Sequence, residues 1–460
     1  MNVLLVEPGY KNKYPPLGLM KIAAFHKRRG DHVVFVKGLN KDLKSQIWDR
    51  IYLSTLFGFY WDATVAAINY YRDSVKKRRK FFIGGPMATL MSKELEESTG
   101  VTVIKGLLNR PGQIKLKREE EIDSIIPNYK ILGEVDYEYP VHDAYLAYMT
   151  RGCVRKCPFC AVPIIEPEYS GYVPLKEKLQ VIAKKYGEKK DLMLLDNNVL
   201  ASDSFSKIID EIVESGFYKG AKLGKRNRYV DFNQGIDLRL LTKEKMAQLA
   251  RLPIKPLRIA FDHYSLKDSY IQKVEWAAEY GLLNLSNYIL YNFKDTPREF
   301  YERLKVNIEL NERLGTKIFS FPMKYVPLTA KDRKFVGENW TPKYLRGIKC
   351  VLQATHGVVG PKRKFFEYAF GSNFKEFLRL LLLPEDYIIY RAQNEQRAIQ
   401  WAKEYDALSE PEVKLFNELV LNNKFDNPPD SLPRKVQAIL LHYHVAHARH
   451  KKHAVPGVLI

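Results

Sequence analysis

Ala144-Tyr145-Leu146-Ala147-Tyr148-Met149-Thr150-Arg151-Gly152-Cys153-Val154-Arg155-Lys156-Cys157-Pro158-Phe159-Cys160 carries the chain from an apolar run into a polar loop holding three of its four cysteines. Ala144 to Met149 reads as a strand that delivers the chain directly into Arg151-Gly152-Cys153, so the thiols sit in a loop after a strand. Three cysteines within eight positions cannot form the disulfide framework of a 460-residue chain, and their clustering points to a metal.

Outward from this stretch the chain alternates strands with helices. On its C-terminal side follow a helix with Leu175, Leu179 and Ile182 on one face, a strand Leu192 to Leu195, and a helix with Phe205, Ile208, Ile209, Ile212 and Val213. Further strands are expected at Tyr229 to Phe232, Leu257 to Phe261, Tyr288 to Tyr291 and Ile318 to Phe321. Helices around Lys243 to Leu249, Leu266 to Tyr280 and Pro297 to Leu314 separate them. Six such units imply an incomplete parallel (β/α)6 barrel over 144–335, with its site at the carboxyl ends of the strands. On the N-terminal side, strands at Val3 to Val6, His32 to Val36, Ile51 to Ser54 and Phe81 to Ile83 alternate with helices at Leu17 to Arg29 and Ala63 to Tyr71. That order predicts an open, doubly wound Rossmann-like domain over 1–125, joined by a linker at 126–143. The tail, 336–460, reads as a helical domain. The fold class is α/β.

Hydrophobic residues make up 46% and charged residues 28% of the chain, and mean hydropathy is −0.32, which excludes a disordered or membrane class. No apolar run approaches the roughly 20 residues that span a bilayer, and Met1 to Pro8 lacks a basic leader, so no membrane association and a cytoplasmic location are expected. The net charge of +21 suits a polyanion. Its basic runs lie at Lys27 to Arg29, Lys76 to Lys80, Lys222 to Arg228 and Lys362 to Lys364. Nucleic acid is therefore one reading of the charge and solvated surface the other. The sequence displays neither a recognition motif nor a stacking platform.

Thiolates spaced as Cys153, Cys157 and Cys160 can hold three corners of an iron-sulfur cube and leave the fourth iron open. Structural zinc asks for four ligands, commonly as two pairs, and no second pair exists. A zinc-dependent nucleic-acid-binding module using the three cysteines and one histidine stands as the alternative. Cys350, in a helical context beside Ile348 and Val351, reads as a packing residue, with a cluster ligand, hydrogen donor or reactive thiol as the alternatives.

With Phe159 directly before Cys160, the C-x-x-x-C-x-x-C loop resembles the signature of the radical S-adenosylmethionine superfamily. The resemblance implies a 4Fe-4S cluster on Cys153, Cys157 and Cys160, S-adenosylmethionine on the open iron, and Phe159 near the adenine. It also implies a 5'-deoxyadenosyl radical formed with electrons from an external donor of flavodoxin or ferredoxin type. Asp196, Asn197 and Asn198, after the strand at Leu192, stand where the family binds the methionine amino group, and read equally as a turn and helix cap. Gln234, Asp237 and Arg239 resemble the segment facing the ribose or carboxylate, although Asp237 and Arg239 could instead pair with each other. His263, at the next strand end, reads as an acid or base or as a loop histidine.

Ser54-x-Leu56, followed by Gly84-Gly85, together with Tyr14-Pro15-Pro16-Leu17-Gly18-Leu19, resembles the subgroup with an N-terminal cobalamin-binding domain. The corrinoid signature Asp-x-His-x-x-Gly is replaced here by Glu7-Pro8-Gly9-Tyr10, with no histidine, so cobalamin binding is open. With cobalamin, radical methylation is implied; without it, oxidation, rearrangement or modification of a macromolecule such as nucleic acid. His442, His444, His447, His450 and His453 read as a solvated basic tail.

Overall fold

Val3 to Val6 is fully buried, as a parallel strand covered by helices on both faces must be. In the computed structural model, which describes residues 1–117, 119–422, 424 and 431–450 (backbone alone for 445–450), this run is β1 (Asn2–Glu7). It pairs in parallel with β2 (His32–Lys37) and β3 (Arg50–Ser54). β4 (Phe81–Gly84) and β5 (Thr102–Val103) complete a five-stranded sheet in the order β2-β1-β3-β4-β5. Leu4, Val6, Ile51, Leu53, Phe81 and Ile83 share a core with the helix Trp61–Tyr71. Strand alternation turns Val3 and Leu5 to the other face, and the helix Leu17–Arg28 packs against the same strands.

A second parallel sheet follows in the same compact unit. β6 (Ala144–Ala147) pairs with β7 (Asp191–Leu194); after the hairpin β8 (Lys222–Leu223) and β9 (Arg226–Asn227), β10 (Val230–Phe232) pairs with β7. β6 stops two residues before its expected end because the amides of Met149 and Thr150 donate to the Asp196 carboxylate instead of to a neighbouring strand. β11 (Leu257–Arg258) is shorter than the expected Leu257 to Phe261. The carbonyls of Phe261 and Asp262 accept from the Arg303 guanidinium, 3.1 and 3.0 Å away.

The chain divides into two compact units, not three. One comprises Met1–Arg258 with Glu279–Leu282 and Val326–Phe335; the other comprises Ile259–Ala278, Leu283–Tyr325 and the chain from Val336 onward. The chain passes from one unit to the other between Phe335 and Val336, and Leu283–Tyr325 belongs with the tail for a physical reason. Ile289 and Tyr291 of β12 (Asn284–Tyr291) and Phe300, Leu304 and Ile308 of the helix Pro297–Leu314 share one core with Trp340, Ile348, Phe366 and Phe377 of the helical tail. β12 pairs in parallel with β13 (Lys317–Lys324) over eight residues each. The helix between them starts in a Thr296/Glu299 capping box and stops at Gly315, in the left-handed region at φ 67°.

The architecture is thus α/β, with parallel sheets and a helical C-terminal region. Cys350 is buried within the tail core, and burial pushes its thiol up to about 12. No helix among the described residues is long and apolar enough to cross a membrane. His442 accepts or donates at Tyr387 (2.8 Å) and Glu404 (3.1 Å) as part of the packed tail, so it is not solvated. The side chains of His447 and His450, and His453 altogether, lie outside the described residues.

Candidate functional site at the cysteine loop

The carboxyl ends of β6 and β7 are adjacent strand ends, and one side chain ties them. Asp196 Oδ1 accepts from Met149 N (3.0 Å), Thr150 N (2.5 Å) and Thr150 Oγ1 (2.7 Å). Asp196 is 2% exposed, and its Oδ2 has no hydrogen-bond partner among the described residues. Burial outweighs the three donors and pushes the carboxyl up to about 6. A carboxyl with a folded pKa above its unfolded 3.8 binds its proton more tightly in the native state. Its contribution therefore favours folding most below about pH 4 and declines by about 3 kcal/mol as pH rises through 6. Urea unfolding at pH 4.5 and 7 checks this: Asp196→Asn, which keeps the Oδ1 acceptor, is expected to gain stability over wild type at pH 7 relative to pH 4.5. A pH-independent difference would contradict it.

The turn out of β6 needs glycine. Gly152 has φ +70°, and a Cβ there would lie 2.3 Å from the Glu168 carbonyl oxygen. Its N–H donates to Glu166 Oε2 (2.8 Å), which also accepts from Asn197 Nδ2 (3.0 Å), while Arg151 pairs with Glu166 (3.2 Å) and Asp123 (3.3 Å). Asp123 in turn accepts from the buried Lys21 (2.9 Å) and from Tyr148 (2.7 Å). Glu166, Arg151 and Asp123 therefore hold the loop's entry and were missed by the sequence reading. They recur at no telling spacing along the chain.

Cys153, Cys157 and Cys160 are half-buried, and none is in a disulfide. Cys153 Sγ accepts from Arg155 N (3.3 Å) and Asn198 Nδ2 (3.4 Å), and the Cys160 amide donates to the Cys157 carbonyl (3.0 Å). Asp237 accepts from Arg155 Nε (3.0 Å) and Arg239 Nε (2.6 Å); burial opposes its charge, but the two guanidiniums hold its carboxyl below the usual range. Asn197 and Asn198 thus join the loop, as do Asp237 and Arg239. Asn198 makes no side-chain cap on the 3-10 turn Val199–Ala201, and its buried Oδ1 lacks a hydrogen-bond partner among the described residues. Phe159 is half-buried in the loop itself. Gln234 is exposed in the turn after β10, whereas its buried neighbour Asn233 accepts from Tyr14 (2.6 Å). His263 opens a 3-10 turn in the other compact unit.

Three thiols in one half-buried loop, with N–H donors already on one sulfur, fit an iron-sulfur cluster, whose sulfurs commonly take such bonds. Among the described residues no three His, Cys, Asp or Glu side chains converge as one ion requires. A cube takes each thiolate at a separate corner and needs no such convergence, whereas tetrahedral zinc does.

The residues read as corrinoid-binding do not fit that group. In an open parallel sheet ligands sit where the strand order reverses, here at the carboxyl ends of β1 and β3. Tyr10, 5% exposed, fills that position: its hydroxyl donates to the Ser54 carbonyl (3.2 Å) and its ring stacks on Tyr60 at 4.7 Å. Lys37 bridges Glu7 (2.9 Å) and Asn12 (3.0 Å), and Tyr139 donates to Glu7. Leu56 accepts the Met87 amide (3.0 Å), and a Cβ on Gly85 would lie 2.4 Å from the Thr55 carbonyl oxygen. Ser54, Leu56, Gly84 and Gly85 thus staple the ends of β3 and β4 together. Protein incubated with hydroxocobalamin and desalted is expected to retain no corrinoid absorbance; stoichiometric retention would contradict this. The helix Pro86–Leu90, directly after Gly85, packs against the helix Val162–Ile165, which follows Cys160, so this sheet buttresses the cysteine loop.

Compared with known protein families and with curated proteins, the chain matches none.

Proposed function

We propose that the chain is a radical S-adenosylmethionine enzyme. The observation that carries this reading is the C-x-x-x-C-x-x-C loop at the end of β6, set beside two buried acceptors without hydrogen-bond partners among the described residues, Asp196 Oδ2 and Asn198 Oδ1. A buried acceptor left unmade costs free energy that a ligand donor would recover. The finer fold consistent with it is a Rossmann-like N-terminal sheet and a partial (β/α)6 barrel, supported by the sequential parallel pairing of β6, β7 and β10, and of β12 with β13.

In this reading Cys153, Cys157 and Cys160 hold the 4Fe-4S cluster, and Asn198 and the Arg155 amide stabilise the charge on the Cys153 sulfur. Asp196 and Asn198 accept from the amino group of S-adenosylmethionine, and Phe159 packs against its adenine. Asp237, already committed to two guanidiniums, orients Arg155 and Arg239, and the exposed Arg239, held to Asp237 through Nε and one terminal nitrogen, offers its other terminal nitrogen to a ligand carboxylate. When bound, the cluster supplies the electron that cleaves S-adenosylmethionine to methionine and a 5'-deoxyadenosyl radical, which abstracts a substrate hydrogen. That electron comes from an external flavodoxin- or ferredoxin-type donor. Four unbridged thiols suit the reducing cytoplasm.

Anaerobic reconstitution with iron and sulfide, then dithionite and S-adenosylmethionine, tests the proposal. Brown protein that forms 5'-deoxyadenosine is the expected result. Colourless protein carrying stoichiometric zinc would overturn it in favour of the zinc-dependent nucleic-acid-binding alternative.

A further inference from the structure

We propose that a groove on the second compact unit binds single-stranded nucleic acid, with Phe319 and Phe365 as its stacking surfaces and Lys317, Lys362 and Lys364 on the phosphates. The groove encloses about 710 Å³ between the start of β13 and the segment from Gly360 to Phe365. Its wall is built in advance. Val359 exchanges two hydrogen bonds with Ser320 of β13 (3.1 and 2.9 Å), and Asn311 Nδ2 donates to the Pro361 carbonyl (3.1 Å). The Phe365 ring lies against Gly360, where a Cβ would meet it at 3.5 Å.

Core packing does not explain the aromatics. The helix Arg363–Phe370 already buries Phe366 and Phe370 in the tail core, yet its outer side presents Phe365 (38% exposed) and Tyr368 (65%). Phe319, on β13 across the groove, is 40% exposed. One exposed ring is ordinary; rings on both walls of one basic groove mark an interaction site.

Basic side chains line the groove as well. In the run at 362–364, Arg363 is taken by Glu312 (2.6 Å) and forms part of the wall. Lys317, Lys362 and Arg363 against Glu312 leave the groove lining net positive, and the exposed Lys364 stands next to it in the chain. Flat π faces beside cations match unpaired bases on a phosphate backbone, since every base offers a π face, whereas a duplex keeps its bases stacked inside. This inference stands apart from the radical chemistry and survives its failure.

Fluorescence anisotropy of the full chain with a labelled oligothymidine of about fifteen nucleotides, within the span such grooves cover, tests it. Binding that weakens roughly tenfold or more in Phe319→Leu and in Phe365→Leu is expected, because leucine keeps apolar bulk and removes the ring. Lys317→Ala and Lys362→Ala should each lower the slope of log affinity against log salt by about 0.7. Both aromatic positions are exposed, so unchanged circular dichroism accompanies the loss. Undetectable binding, affinity unmoved by the leucine variants, equal affinity for a duplex or for a free mononucleotide, or equal competition by polyglutamate would each overturn the proposal.

Discussion

Cys157→Ala is expected to remove both the cluster and the formation of 5'-deoxyadenosine, lowering the latter by more than about 100-fold, the upper end of what losing a residue that only supports a ligand costs. Cys157 lies between the other two thiols, and with it gone the loop offers two thiolates, too few to retain an iron-sulfur cube. The side chain is only half-buried, so far-UV circular dichroism should match wild type. Iron content and visible absorbance after reconstitution read the cluster directly, separately from turnover. Cys350→Ala serves as the contrast: that thiol is sealed in the tail core, and its loss should leave iron content unchanged. Turnover retained by the Cys157 variant would contradict the assignment.

Arg303→Ala should be the most destabilising single change in the second unit. The guanidinium is fully buried and spends all its donors: Nε on the Glu299 carbonyl (3.3 Å), one terminal nitrogen on Phe261 and Asp262 (3.1 and 3.0 Å), the other on Leu290 and the Asp295 carboxylate (2.8 Å each). Removing it strands a buried carboxylate, a change that costs about 3–5 kcal/mol, and leaves carbonyls unsatisfied besides. Arg303→Lys should recover little, since an ammonium is a point charge without the planar fork that reaches both sides. Chemical unfolding of the full chain reads the loss, and a midpoint within error of wild type for the alanine variant would refute it.

Much of the fold was legible because its strands are short apolar runs bounded by glycine and its helices are periodic. Pro297 to Leu314 matches its helix at both ends because proline, a capping box and a glycine mark them. β6 and β11 were overestimated because apolar runs continue past the point where a side chain from elsewhere, Asp196 or Arg303, takes over the backbone groups. Of the candidate residues, Asn198 and Asp237 reach the cysteine loop as expected from strand-end placement. Gln234 does not, because the turn after β10 points it to solvent and buries Asn233 instead.

What the sequence by itself determined is the α/β class with its helical tail and the spacing of three thiols at one strand end, because these rest on local periodicity and local spacing. Only the tertiary structure decided that the β12–β13 region shares its core with the tail, that Tyr10 fills the crevice read as a corrinoid site, and that Glu166, Arg151 and Asp123 hold the loop. It also decided that two exposed rings and two lysines line one groove. Each of these depends on contacts between residues tens to hundreds of positions apart, and the free energy of such a contact resides in the packed arrangement and leaves no periodicity along the chain.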